Sequence, residues 1–418
     1  MNNYTLVSFV GTGMYKKEGG YRTTIYKYPD GIETEPTKFF VQSILEAKYK
    51  PISRVILIGT YTSSWDALLD EKDPAIEDLW LSIKTQCEEN KTGISEENIK
   101  KLESYFCDKY KVPCTIYIHT NKIDANTINE TAELYSKIAK EISLETNLLL
   151  DITHGFRSMP VLFYQSLQLA TAGKDPRRID LIYGEYIDDE KISYVRDLSD
   201  YWNYSEIAFA VNLFKNKLDG RMLAQKLEPV WESGAKVVSR FSDIVECNYS
   251  LQLPEVFRQM KNALEKRPEE TKNISWVNEV ADYLSDIYTR LNNDKVSETL
   301  RNYSRELENH GLVTQAVIAL QVAIEAAVAE KFGPADAIGN YDWYQEEGKQ
   351  FFADVVAKLE YHKKQNIYQI EWLRNQIAHG GARDKKTGEY PSVVNISRVF
   401  TNGKSAALSF FKELEKSE

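Results

Sequence analysis

The chain has 418 residues, of which 43% are hydrophobic and 27% are charged, and its net charge at pH 7 is −10. This length exceeds that of one ordinary domain and predicts two or three domains, each with its own core. The acidic balance argues against a protein that coats nucleic acid non-specifically, because such binding is driven by the neutralisation of phosphates. An anionic partner must therefore be bound in a local pocket.

The cysteines and the N-terminal sequence indicate the cellular compartment of the protein. Four scattered cysteines without CxxC spacing predict neither a zinc site nor a disulfide framework. The apolar N-terminal stretch has no basic region before it and no cleavage site of small residues after it. No run approaches the roughly eighteen apolar residues of a membrane span. We therefore expect a cytoplasmic protein with no metal, no cofactor and no membrane contact.

Up to about residue 198, short β-branched segments alternate with amphipathic helical patterns. Most of these segments are continuously apolar, which is typical of strands buried on both faces of a parallel sheet. The sequence YPDGIE at 28–33 predicts a turn, so that the second strand is half of a hairpin. The alternation predicts an α/β domain over 1–198, with a mostly parallel sheet and a C-terminal hairpin. The predicted strands are residues 4–10, 23–28, 54–60, 114–120, 147–153, 179–186 and 191–198.

From about residue 199 the strand pattern stops and helical patterns follow one another to the end. The segment VTQAVIALQVAIEAAVAEKFG repeats apolar residues at helical spacing through Val317, Leu320, Ile324 and Val328, which predicts a core helix. We divide this all-α half into a connecting region, 199–300, and a C-terminal domain, 301–418.

Two predicted strands end in loops of glycines and hydroxyl side chains. Open α/β sheets bind ligands at the carboxyl ends of their strands, and glycines let backbone amides approach a ligand closely. The first loop is not a dinucleotide fingerprint, since Lys16 stands where the third glycine should be. The candidate ligand residues are Gly11, Thr12 and Gly13 after the first strand and Gly59, Thr60 and Ser63 after the third.

A third loop follows the strand NLLLDIT, in the stretch DITHGFRSMP. The start of the next helix, with its free amides and Arg157, predicts an anion-binding site. Two alternatives stay open. The first is a hydrolase in which Ser158 is the nucleophile, although Pro160 replaces the second glycine of the nucleophile elbow. In the second, Asp151 and His154 only satisfy backbone groups around a tight turn. The candidate residues are Asp151, Thr153, His154, Gly155, Arg157 and Ser158.

A second constellation lies in IEWLRNQIAHGG, residues 370–381. Ile370, Leu373 and Ile377 form one apolar stripe at helical spacing, while Trp372, Asn375 and His379 face the opposite way. The simplest interpretation is a core helix that ends in histidine and glycine.

Together these motifs resemble a known family. The set VGTGMY, IGTYTSSW and DITHGFRSMP, followed by an all-helical half, is similar to the CARF domain of CRISPR-associated ancillary ribonucleases. The Arg-Asn-x-x-x-His pattern of Arg374, Asn375 and His379 resembles the R-x(4–6)-H motif of HEPN ribonucleases. The resemblance implies a Rossmann-like sensor of cyclic oligoadenylate, the activator made by a type III CRISPR complex, joined to a HEPN domain. It also implies a homodimer or a higher oligomer, with no stable association with the CRISPR effector complex expected.

The residue types suit metal-independent cleavage of single-stranded RNA. Attack by the ribose 2′-hydroxyl needs proton transfer, which we assign to His379. It also needs a positive charge beside the phosphate, which we assign to Arg374, and Asn375 would orient the phosphate or the histidine. Glu325 either orients Arg374 or is a surface carboxylate. Arg374 and His379 lie about 140° apart around one helix, so two copies are expected to form a composite site.

Two other functions stay open at this point. The first is a cyclic-oligoadenylate sensor without nuclease activity, whose helical half only dimerises or recruits a partner. The second is a sensor that also cleaves its own cyclic ligand, with hydroxyls such as those of Thr12, Ser63 and Ser158 near a ribose.

Overall fold

The computed structural model describes residues 3–11, 21–70, 73–89, 92–119, 127–142, 146–155, 158–171, 178–378 and 393–417. The chain divides into two compact units, Met1–Ser205 and Glu206–Glu418. The finer division of the helical half at residue 300 stays a prediction.

The first unit is built on a seven-stranded sheet, which confirms the predicted α/β class. Its strand order is β2-β7-β6-β5-β1-β3-β4. Strands β4, β3, β1, β5 and β6 are parallel neighbours, and β6 and β7 form the predicted antiparallel C-terminal hairpin. The strands are β1 (Tyr4–Val10), β2 (Ile25–Lys27), β3 (Ile52–Thr60), β4 (Cys114–His119), β5 (Asn147–Asp151), β6 (Ile179–Ile187) and β7 (Ile192–Asp197).

The hairpin predicted for the second strand forms only in part. β2 pairs in parallel with β7 at the sheet edge. The backbone does turn back after Tyr28, but the returning segment makes only isolated antiparallel bridges, Lys27 to Glu33 and Thr24 to Thr37. Pro36 in that segment has no N–H to donate to a ladder, which accounts for the missing strand.

Helices cover both faces of the sheet, because alternate strand residues point to opposite sides. Leu6 of β1 belongs to one buried cluster, which also contains residues of α1 and α3. The next residue, Val7, belongs to the other cluster, which contains residues of α4 and α5. All of β1 and β5 is buried, as the continuous apolar runs predict. The helices are α1 (Phe40–Ala47), α2 (Glu77–Lys84), α3 (Glu96–Tyr110), α4 (Ile128–Glu141) and α5 (Ser158–Thr171), with short turns at Trp65–Leu68 and Thr85–Glu89.

Within the described residues, the regular secondary structure of the second unit consists of helices. In α12 the four residues Val317, Leu320, Ile324 and Val328 are buried, which confirms the predicted core helix. By length and composition α12 is also the one described helix that meets the criteria for a membrane span, but 61% of its apolar window is buried inside the unit. The helices are α6 (Asp200–Lys217, which begins in the first unit), α7 (Arg221–Leu227), α8 (Glu232–Cys247), α9 (Leu253–Glu265), α10 (Ser275–Leu291), α11 (Val296–Asn309), α12 (Val313–Phe332), α13 (Tyr341–Trp343), α14 (Lys349–Ala357), α15 (Tyr361–Ala378) and α16 (Val393–Lys416), with short turns at Ser250–Gln252, Glu269–Asn273 and Tyr344–Gly348.

Candidate functional sites

The three loops singled out in the sequence lie at one edge of the sheet. β5, β1 and β3 are adjacent, and their pairing places Ser8 opposite Asp151 and Val10 opposite Gly59. The strand ends therefore meet at the carboxyl edge, where doubly wound sheets bind ligands. Thr12, Gly13 and Arg157 lie outside the described residues.

Glycines bring the first and third loops together. A Cβ atom on Gly11 would lie 2.8 Å from the amide nitrogen of Gly155. Gly155 has a φ of +94°, and a Cβ there would lie 2.9 Å from Cβ of Phe9. Side chains are excluded at both positions by backbone conformation or by close approach. In this structure the glycines pack one loop directly on the other.

The hydroxyls of the β3 loop point into the protein. The Ser63 Oγ donates to the Val10 carbonyl oxygen at 2.6 Å and accepts from the Thr60 amide at 2.9 Å. The Trp65 indole N–H donates to the Thr60 carbonyl oxygen at 2.8 Å, and its ring occupies the space beside Gly59. Thr60 and Ser63 are each 1% exposed. These residues tie β3 to β1 and shape the edge rather than face solvent.

We expect Ser63→Ala to lower the free energy of unfolding of the first unit by about 1–3 kcal/mol. The substitution leaves the Thr60 amide and the Val10 carbonyl without their buried partner. The shift is measured as a change in the urea midpoint, with Ser136→Ala on α4 as a control. Ser136 is half-buried and the structure gives its hydroxyl no hydrogen bond within the described residues, so an equal loss in both variants would contradict this role.

Asp151 is held by its own loop and by β1. Its Oδ2 accepts from the Ser8 hydroxyl at 2.6 Å and its Oδ1 accepts from the Thr153 amide at 2.8 Å. Burial raises the pKa of this carboxyl to about 6, and the two donors oppose that shift. Thr153 in turn accepts from the Gly184 amide at 2.8 Å, which joins the loop to β6.

His154 caps a helix. Its Nε2 accepts from the amide of Phe40, the first residue of α1, at 3.2 Å, and the Tyr26 hydroxyl lies 3.4 Å from the same atom. The Phe40 amide is one of the helix-start donors that have no partner within the helix. Burial lowers the pKa of His154 to about 4, so the ring is neutral at pH 7 and carries its proton on Nδ1.

This geometry does not support the hydrolase interpretation. Within the described residues no hydrogen bond joins His154 to Asp151 or to Ser158, and the Nε2 that would serve as base is engaged by Phe40. In this structure Asp151 accepts from the Ser8 hydroxyl and the Thr153 amide, and His154 accepts from the Phe40 amide. Their role in ligand binding stays a prediction. Ser158 is exposed as the first residue of α5, and Pro160 lies in the first turn.

Sequence reasoning missed two partners of this edge. Nothing in the local sequence of Phe40 indicates that its amide binds a distant histidine. Gly184 did carry a signal, because an isolated glycine inside a strand marks a close approach. A Cβ on Gly184 would lie 2.7 Å from the Tyr26 ring and 3.2 Å from Thr153.

The second candidate site lies on α15. Of the predicted stripe, Ile370 and Leu373 are 1% exposed and Ile377 is half-buried, whereas Trp372 is 40% exposed. Arg374 and Asn375 are both exposed, and Arg374 Nη1 donates to the Asn375 Oδ1 at 2.9 Å. His379 follows the end of α15 in the sequence and lies outside the described residues.

A cleft of about 330 Å³ lies beside Arg374 and Asn375, and Glu325 of α12 lines it. Burial raises the pKa of Glu325, and the positive charge of Arg374 opposes that shift. The structure gives no ion pair between these two side chains, and the orientation of Arg374 by Glu325 stays a prediction.

No group of three or more His, Cys, Asp or Glu side chains suited to a metal occurs within the described part of the chain.

The strand order and the loops at the carboxyl edge define the first unit as an α/β ligand-binding domain of the doubly wound class. Residues 5–186 match the family model of the CARF domain of the CRISPR system endoribonuclease Csx1. The first unit therefore matches the CARF domain of CRISPR-associated proteins.

Two known proteins show how far the similarity extends. The chain is 28% identical over 283 residues to the CRISPR-associated protein MJ1674 of Methanocaldococcus jannaschii, a match that covers 62% of this chain and 43% of that protein. The match thus spans less than half of the relative's length. Enterococcus italicus Csm6 bound to cyclic hexa-2′-fluoro-hexa-dAMP aligns over 100% of this chain and 95% of that chain, with 13% identity and a TM-score of 0.39. That TM-score is too low to establish a common fold for the whole chain, so the fold assignment depends on the strand order and the family match.

Proposed function

We propose that this protein is a metal-independent endoribonuclease of type III CRISPR defence that is activated by cyclic oligoadenylate. The observation that supports the sensor is the CARF match over residues 5–186, together with an edge where the exposed Ser158 begins a helix. The proposed ligand contacts are this helix start, the loop of Gly155 and the residues after β1. Phosphates are anionic, and a helix start with a nearby arginine is suited to bind them.

The nuclease part of the proposal depends on Arg374 and Asn375. Both are exposed on one face of α15, and a preformed hydrogen bond orients the guanidinium at the mouth of a cleft. Arg374 would bind and neutralise the scissile phosphate, Asn375 would orient it, and His379 would transfer a proton, leaving a 2′,3′-cyclic phosphate end. We assign this role to a HEPN domain at 301–418, with 199–300 as a connecting region.

We further propose that the active form is a cytoplasmic homodimer. The spacing of Arg374 and His379 in the sequence predicts that they lie about 140° apart on a helix, so that one copy makes a poor site and two copies related by a two-fold axis make a better one. The cyclic ligand would favour the active arrangement only if it binds that state more tightly than the inactive one.

The decisive experiment adds synthetic cyclic oligoadenylates of each ring size to the full chain and labelled single-stranded RNA, with a chelator present. We expect one ring size to stimulate cleavage and the products to carry 2′,3′-cyclic phosphate ends. Linear oligoadenylate serves as the control, and chromatography follows the integrity of the ring. If no ring stimulates cleavage while one of them binds, the chain is a sensor without nuclease activity.

A further inference from the structure

The cleft beside α15 contains acidic, amide and aromatic side chains that a phosphate-binding site does not need. Its volume of about 330 Å³ is within the lower range of small-ligand pockets. Its lining includes Arg374 and Asn375 of α15, Gln321 and Glu325 of α12, and Tyr344. Positive, polar, acidic and aromatic groups thus converge on one space.

The aromatic wall is fixed by local backbone structure. Tyr344 is half-buried and begins a wide π turn, Tyr344–Gly348. A Cβ on Gly348 would lie 2.7 Å from Cδ2 of Tyr344, so the glycine makes room for the ring. Turns of this wide type occur often at functional sites. Tyr341, 71% exposed, also lines the cleft, and such rings are the surfaces on which unpaired RNA bases stack.

The acidic group has a fixed orientation. The Gln321 side-chain amide, one helical turn earlier, donates to Glu325 Oε1 at 3.0 Å. Glu325 is half-buried, and within the described residues the structure gives its Oε2 no hydrogen-bond partner. Arg374 and Lys349 favour its charged form, whereas the nearby carboxylate of Glu371 opposes it. An oriented acceptor therefore lies in the cleft, near the two cations.

We propose that this cleft binds a guanine base next to the scissile phosphate, with the Glu325 carboxylate accepting hydrogen bonds from guanine N1–H and N2–H. The inference depends on the proposed ribonuclease function of the same site. Guanine is the RNA base whose Watson–Crick edge places two donors side by side. Adenine, cytosine and uracil each place an acceptor beside their donor, and that acceptor would face the negative carboxylate. Arg374 and Lys349 would then lie where the adjoining phosphate enters.

The first test maps the cut positions in activated cleavage of an RNA that contains every dinucleotide. The wild-type chain should prefer sites that adjoin guanosine, and Glu325→Gln should lower that preference about ten-fold. Glu347→Gln is the matched control, because Glu347 is an exposed carboxylate in the same turn that does not line the cleft. It should cleave as the wild type does, and thermal unfolding verifies that both variants are folded.

The second test measures binding of 3′-GMP and 3′-AMP by titration calorimetry with the same three proteins, independently of cleavage. If 3′-GMP binds more tightly than 3′-AMP and Glu325→Gln removes the difference, the base site is supported even where no RNA is cut, and only the nuclease proposal fails. A wild type that cleaves without a guanosine preference overturns the inference. So does a Glu325→Gln variant that is slower at all sites but keeps its preference, since Glu325 would then only position Arg374.

Discussion

Replacing His379 with alanine should lower activated RNA cleavage by about a hundred- to ten-thousand-fold while binding of cyclic oligoadenylate is unchanged. The proposed mechanism needs a proton acceptor or donor at the 2′-hydroxyl or the departing 5′-oxygen. The proposed ligand edge is formed by β1, β3 and β5 of the first unit, whereas α15 belongs to the second unit. Cleavage is measured with saturating activator, and ligand affinity is measured separately by calorimetry.

The matched control for this variant is His362→Ala. His362 lies near the start of α15, its side chain is 67% exposed, and it pairs with Glu360. It should retain full cleavage. Arg374→Lys should also lose most activity, because an ammonium group cannot bind a phosphate with two parallel N–H groups as a guanidinium does. Normal cleavage by His379→Ala would contradict the assignment of the site.

The sequence predicted the positions of the seven strands closely. Largely apolar, β-branched runs of strand length such as residues 4–10 are typical of a sheet covered on both faces, and β1 is wholly buried as expected. The core helix α12 and the buried stripe of α15 were predicted for the same reason, since helical periodicity records which face is buried.

The direction of polar side chains could not be predicted in this way. Thr60 and Ser63 have the residue types of a ligand loop, but their hydroxyls bind the ends of β3 and β1. His154 caps α1, which begins 114 residues earlier in the chain. Both outcomes depend on contacts between distant segments, and a single sequence without its fold does not specify these. Gly184 is the exception, because an isolated glycine within a strand indicates in the sequence itself that another segment approaches closely there.

We expect Asp151 and His154 to contribute opposite pH dependences to the stability of the CARF domain. Burial raises the pKa of Asp151 from 3.8 to about 6, so the stability that this group contributes is present below pH 4 and is lost as the pH rises to 6. Burial lowers the pKa of His154 from 6.5 to about 4, so its contribution is present above pH 6.5 and is lost as the pH falls to 4. Each shift corresponds to at most about 3 kcal/mol.

The two effects nearly cancel in the wild type, and single substitutions should separate them. Asp151→Asn leaves the His154 effect, so its free energy of unfolding should increase from pH 4 to 6.5. His154→Gln keeps an acceptor for the Phe40 amide and leaves the Asp151 effect, so its free energy of unfolding should decrease from pH 4 to 6. The double variant is the reference, because subtracting it removes the contributions of all other carboxylates.

Urea unfolding of the four proteins at half-unit pH steps tests this prediction. The His154 contribution should be somewhat smaller than the Asp151 contribution, because His154 is only half-buried whereas Asp151 is 0% exposed. The chain has five histidines, so NMR titration of the ring protons can assign His154 by its absence in His154→Gln. Two results would show that these side chains are solvated at the sheet edge. One is a His154 pKa near 6.5, and the other is a free energy of unfolding that depends on pH in the single variants just as it does in the double variant. A titration near pH 4 would show that the His154 ring is buried as the structure has it and is neutral at pH 7.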